Sequence, residues 1–340
     1  MNNLRPLIRL RIAVISLAAF VAFVALAAVA ANVAWGQPAW RPDKAVEIIL
    51  PTAAGGLNDQ MARLIQSILQ ERKLVPTPVV VMNKSGGNQT LAAVYLRQHP
   101  NDPHYLLYST SSIFTSQITG LVQQHYSDLS PIALLLVERT AISVAADSPI
   151  RDMRDLIERL KANPESLAIG MATRGGANHL GLAQVVKSAG VDPKRLKTVA
   201  FKTNVESLTG LVGGHLHVVT SSANAALPWV QKGQARLLAI LAPQRQSGPL
   251  ANVPTLREQG YDVPGVTNWR GMFGARGLTP AQIAFWEDAM SKMVAAEEWA
   301  RLMEQHNLGQ HFLRGRDFVK FLDSEYQASR AALTDIGFAK

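Results

Sequence analysis

The chain has 340 residues, no cysteine, and 34 basic against 25 acidic residues, for a formal net charge of +9. Without cysteine there can be no disulfide, thiolate nucleophile or cysteine-bound metal, so packed cores must carry the stability. The basic residues are dispersed, with no stripe of interleaved aromatics, which excludes a nucleic-acid-binding reading.

Residues 1–11 carry Arg5, Arg9 and Arg11 and no acid, and 12–31 are almost wholly apolar and alanine-rich. This is the layout of a secretory signal over residues 1–35, ending near Ala28-Val29-Ala30 or Ala34-Trp35-Gly36, and it implies a periplasmic protein. The apolar run is also long enough to stay as an uncleaved anchor. Removing residues 1–34 leaves 31 basic and 25 acidic residues, a net charge of +6 that suits small anions or a membrane surface. The remainder exceeds the usual size of a single core, so two domains are expected.

Apolar β-type runs then alternate with amphipathic helical stretches, the pattern of parallel sheets covered by helices. Strands are expected over 46–50, 79–82, 105–109, 132–137, 141–145, 167–171, 198–201, 217–221 and 236–241. Helices fall between them, at 57–72, 90–98, 153–162, 177–188, 205–212 and 223–231, and the chain ends in helices over 280–295 and 315–333. The alternation restarts after Glu138-Arg139-Thr140, which gives an α/β fold of two lobes: 36–139 with 247–340, and 140–246. Two chain crossings make the hinge.

The polar turns at 53–58, 83–90, 109–112, 173–178 and 221–224 all follow strands, where ligands of open α/β sheets gather. The first joins an apolar strand to a helix through Ala54, Gly55, Gly56, Leu57 and Asn58. Its glycines let an anion approach bare N–H groups, although an ordinary βα connection would look the same. The second, with Ser85 and Gly86, lacks the lysine-hydroxyl ending of a nucleotide phosphate loop. Thr173, Arg174, Gly175, Gly176, Ala177 and Asn178 repeat the strand-to-helix form and add a cation that either forks onto a carboxylate or sits solvated. Ser109, Thr110, Ser221 and Ser222 supply hydroxyls.

Other residues argue against chemistry. Ser109, Ser111 and Ser112 lack a nucleophile elbow. His215 and His217 share a strand face but have no third ligand close in sequence. No metal or cofactor is expected. Trp229, Trp269, Trp286 and Trp299 read as packing residues, with Trp269 or Phe114 available as an apolar cleft wall.

From about Pro42 onward the sequence resembles the extracytoplasmic solute receptors of tripartite tricarboxylate transporters, the Bug-type periplasmic binding proteins. The resemblance rests on Pro51 with Gly55-Gly56 and Asp59, Asn83-Lys84 with Gly86-Gly87, Gly175-Gly176-Ala177-Asn178-His179-Leu180, and Leu211-Val212-Gly213-Gly214. It continues through Pro228, Gly233, Arg236, Val253-Pro254-Thr255-Leu256 and Gly277-Leu278-Thr279-Pro280. It implies a type II periplasmic binding protein fold whose lobes close on a carboxylate held by the first glycine turn and the 173–178 loop. The implied role is a non-enzymatic, monomeric receptor that delivers its ligand to integral-membrane transporter subunits. A sensor for a membrane kinase and a secreted hydrolase are the alternatives. Ala54, Leu57, Asn88-Gln89 and Ser221 depart from the family pattern, which has proline, serine, glycines and aspartate there. The missing aspartate and the cationic Arg174 favour a di- or tricarboxylate over an amino acid, with aromatic acids still open.

Overall fold

The computed structural model describes residues 40–123, 125–263 and 265–339. The expected signal segment lies outside them. Among the described residues no helix is long and apolar enough to cross a membrane.

Three parallel strands, β1 (Val46–Leu50), β2 (Val79–Asn83) and β3 (Tyr105–Thr110), begin the first sheet. They join β4 (Ser130–Glu138), β10 (Asn268–Gly274) and β11 (Gln310–Arg314) in the order β11-β4-β10-β3-β1-β2, with β10 antiparallel to both neighbours. The second sheet has the order β7-β6-β8-β5-β9, from β5 (Thr140–Ala145), β6 (Ile169–Met171), β7 (Thr198–Ala200), β8 (Val218–Ser222) and β9 (Ala235–Leu241). A single residue, Arg139, separates β4 in one sheet from β5 in the other. The chain returns between β9 and β10.

The helices are α1 (Leu57–Glu71), α2 (Thr90–Arg97), α3 (Ser112–Ile118), α4 (Met153–Ala162), α5 (Ala177–Ser188), α6 (Asn204–Val212) and α7 (Ala223–Gln231), then α8 (Pro280–Val294), α9 (Glu297–Gln305) and α10 (Gly315–Asp335). Helical spacing places Met61, Ile65, Ile68 and Leu69 of α1 on its buried face, as the periodicity requires. Thr279 caps α8, accepting from Gln282 N–H, while the Gln282 side chain accepts from Thr279 N–H at 2.8 Å. Helices α8 and α10 both pack on β4. Helix α10 also packs on α5 of the second sheet, and Lys187 pairs with Asp335 there.

Four elements go beyond those expected: α3, α9, β10 and β11. The segment around Trp269 looks like a polar crossing because Asn268, Arg270 and Gly271 interrupt its apolar run. Yet it forms a nearly central strand whose Trp269 is 0% exposed. Phe114 is equally buried and meets Trp269 edge-on at 5.3 Å, so neither forms a cleft wall.

Candidate ligand-binding site

Two strand-to-helix turns are near-copies of each other. Gly55-Gly56-Leu57-Asn58-Asp59 leads from β1 into α1, and Gly175-Gly176-Ala177-Asn178-His179 leads from β6 into α5. In each, the first glycine has positive φ, +89° and +78°, a conformation that favours glycine. The second caps its helix with φ −83° and −77°. The first glycine's N–H donates to the side chain four residues later: Gly55 to Asp59 Oδ2 at 3.0 Å and Gly175 to His179 Nδ1 at 2.9 Å. These bonds brace the turns, so the next amides, at Leu57 and Asn58 and at Ala177 and Asn178, open their helices without an intrahelical acceptor. Unused amides at the positive end of a helix are a place for an anion.

The two braces differ electrically. Hydrogen bonds from Arg63, Gly55 N–H and Asn83 hold the Asp59 carboxylate down at about 2, so it is ionised at any ordinary pH. Burial, and then the charge of Arg174, lower His179 to about 4, so its ring is neutral and Nδ1 is free to accept.

Seven of the expected site residues, Asn58, Gly86, Thr110, Thr173, Gly176, Ala177 and Asn178, line one cleft of about 280 Å³. The remaining expected residues lie outside this lining. Ala54, Gly55 and Gly56 are exposed in the first turn, Leu57 is half-buried beside them, and Ser85 is exposed. Gly175 is buried, and a Cβ there would meet Phe338 at 3.3 Å. Ser109 Oγ donates to Gln89 Oε1 at 2.9 Å, and Ser221 is wholly buried. Arg174 extends into solvent and donates to Thr198 Oγ1 at 2.8 Å. Ser111 Oγ lies 3.4 Å from Asn268 Oδ1, and His217 Nδ1 accepts from Ala168 N–H at 2.9 Å. Among the described residues no group of three metal-ligating side chains is found.

The charged floor of the cleft was not visible in the sequence. Arg270 lines it, with its side chain 9% exposed, and pairs at 3.2 Å with Glu138, which is 5% exposed. The guanidinium also donates to Asn58 Oδ1 at 2.9 Å and Asn268 Oδ1 at 2.8 Å. Glu138 Oε2 in turn accepts from Asn268 at 2.6 Å and from Ser222 Oγ at 3.0 Å. One carboxylate oxygen therefore joins β10 of the first sheet to β8 of the second. A register shift between Arg270 and Gly271 in the β10–β4 ladder sets the side chain at the floor, as bulges do near sites. The cation lining the cleft is Arg270, Arg174 lies outside the lining, and an acid stands beside the cleft at Glu138.

Polar links continue into the second half. Asn204 Nδ2 lies 3.3 Å from Ser222 Oγ, Asn178 Nδ2 lies 3.4 Å from Asn204 Oδ1, and Thr140 Oγ1 donates to Asn178 Oδ1 at 2.8 Å. Gln89 is a second residue that sequence reasoning passed over. Its backbone adopts the left-handed region at φ +76°, which a side chain normally avoids, while its amide donates to Thr110 Oγ1 at 2.7 Å and accepts from Ser109. The signal was there: glutamine stands where the resembled family has a glycine.

Comparison with known proteins accords with this architecture. Residues 61–338 match the family described as tripartite tricarboxylate transporter family receptor. A UPF0065 protein in the gbd 5' region of Cupriavidus necator is 25% identical over 300 residues, covering 88% of this chain and 89% of that one. Among solved structures, a TctC solute-binding protein from Polaromonas without ligand superposes with a TM-score of 0.76 at 24% identity, over 86% of this chain and 99% of that one. The R. palustris protein Rpa4515 with adipate gives 0.72 at 22% identity, over 88% and 99%.

Proposed function

This chain belongs to the tripartite tricarboxylate transporter receptor family, and from that premise we propose that it is an exported, non-enzymatic receptor that captures a small carboxylate and presents it to membrane transporter subunits. The observation that carries the reading is the duplicated Gly-Gly-x-Asn turn, one copy from each sheet, with both copies contributing to a single cleft. Amides at the starts of α1 and α5 grip one carboxylate between them. The lobes 36–139 with 247–340, and 140–246, close on it because the shared anion gains contacts only when both turns reach it.

The favoured ligand is a di- or tricarboxylate. One carboxylate occupies the paired turns, while hydroxyls and amides from Thr110, Ser111, Asn204 and Asn268 receive the rest. Arg270 adds positive potential that Glu138 tempers, so a second carboxylate is accommodated without a free cation demanding it. That Rpa4515 is known with adipate supports a ligand of this class.

Calorimetry with aliphatic di- and tricarboxylates, aromatic acids and amino acids, followed by mass spectrometry of the recovered ligand, tests the proposal. Binding of an aliphatic polycarboxylate that is recovered unchanged is the expected outcome. Turnover, or binding of amino acids alone, would overturn it.

A further inference from the structure

A second cavity, of about 330 Å³, lies on the other face of the crossing strands. Side chains of an extended chain alternate between faces, and the crossings show this twice. Glu138 joins the floor of the cleft while Arg139 lines the second cavity, and Asn268 lines the cleft while Thr267 lines the second cavity. Leu241 contributes from β9, Tyr261 and Val266 from the returning chain, and Phe321 and Glu325 from α10.

Arg139 is half-buried there, and among the described residues its guanidinium makes no hydrogen bond or ion pair. Burial is the main influence on it and disfavours its charged form. Glu325 is buried, accepts from Thr267 N–H at 2.9 Å, and is pushed upward in pKa by burial, which favours its protonated form. Burial, and then the charge of Arg139, lower the pKa of His311. Glu325 attracts Arg139 without pairing with it, so the guanidinium keeps its donors unused and an incoming anion can take them.

We propose that this cavity is a second ligand site, for a small monocarboxylate with a flat apolar body. The carboxylate sits on Arg139 and the body lies between Leu241, Val266 and Phe321. The charge is limited to one because Arg257, the second cation of the lining, already faces Asp262 at 3.7 Å. The proposal does not depend on what the cleft binds.

The probe is 4-bromobenzoate, whose bromine is located by anomalous scattering in crystals of the intact protein. The bromine is expected within the second cavity. In solution, calorimetry should show binding weakened at least tenfold by Arg139→Met and less by Arg139→Lys, which keeps the charge; thermal melts check that each variant is folded. If Arg139→Met fails to fold, the bromine position and the lysine variant decide. Bromine confined to the cleft, bromine at neither place, or a dissociation constant unmoved by loss of the arginine would overturn the proposal.

Discussion

Replacing Arg270 with methionine should destabilise the protein far more than its single ion pair suggests, and a second substitution should repair much of the damage. The side chains of Arg270 and Glu138 are only 9% and 5% exposed. Removing the cation therefore leaves Glu138 buried with only the neutral donors Asn268 and Ser222. An uncompensated buried charge of this kind costs about 3–5 kcal/mol. For a chain of this size the melting point should then fall by roughly 5–8 °C. Glu138→Gln alone strands the guanidinium and should cost a similar amount. The double variant buries neither charge, so its loss should fall at least about 2 kcal/mol short of the two single losses added together. Urea denaturation followed by circular dichroism at neutral pH measures all three against the parent. Losses that add to within about 0.5 kcal/mol would show that the two groups act independently, and the coupling of both sheets through Glu138 would have to be abandoned.

Acid should weaken the second glycine turn before the first. The folded-state pKa of His179, about 4, lies below its ordinary value of 6.5, so its contribution is complete above 6.5 and is lost as pH falls through 4. Carboxylate affinity should drop as pH falls through about 4, where the folded protein's His179 protonates, and His179→Gln, whose amide oxygen can still accept from Gly175, should flatten the drop; parallel pH profiles would refute this. Asp59, held at about 2, contributes fully above 3.8 and loses its contribution as pH falls through 2. Asp59→Asn should cost on the order of 1 kcal/mol at neutral pH, discounted because Arg63 is half exposed, and almost nothing in strong acid, as read from denaturation at each pH. Gly56→Ala has ordinary φ and open space at the new Cβ, so it should leave the melting point unchanged or slightly raised while calorimetry shows weaker ligand binding. Arg174→Ala should change ligand affinity less than twofold, since the side chain is bonded to Thr198 outside the cleft lining.

What the sequence discloses and conceals follows the range of the interactions involved. Ile48–Leu50 and Met61–Leu69 reveal a strand and a helix because burial repeats at short spacing, and Gly55-Gly56 reveals a turn because its backbone demand is local. Arg270 is concealed because the groups that make its burial tolerable, Asn58 and Glu138, stand 212 and 132 positions away. A charged residue beside an asparagine and a glycine then reads as a loop, and β10 is lost with it. At Arg174 the motif leaves open whether the cation faces a ligand or solvent, and the structure extends it outward to Thr198. The duplication of the two turns was legible as Gly-Gly-x-Asn, but the differing fifth residues, Asp59 and His179, disguise their common task of accepting a glycine N–H.

Asn58, Asn178, Asn204 and Asn268 all face the cleft. A carboxamide turned end over end exchanges a carbonyl oxygen for an NH2 group at almost no change in shape. Here that exchange is blocked: the Arg270 guanidinium can only donate and so fixes the oxygens of Asn58 and Asn268, while Glu138 can only accept and so fixes the Asn268 amide and the Ser222 proton that orients Asn204. The polarity of the wall is consequently set from the buried ion pair outward. One charge pair almost out of reach of solvent thereby dictates which way the amides along the cleft point.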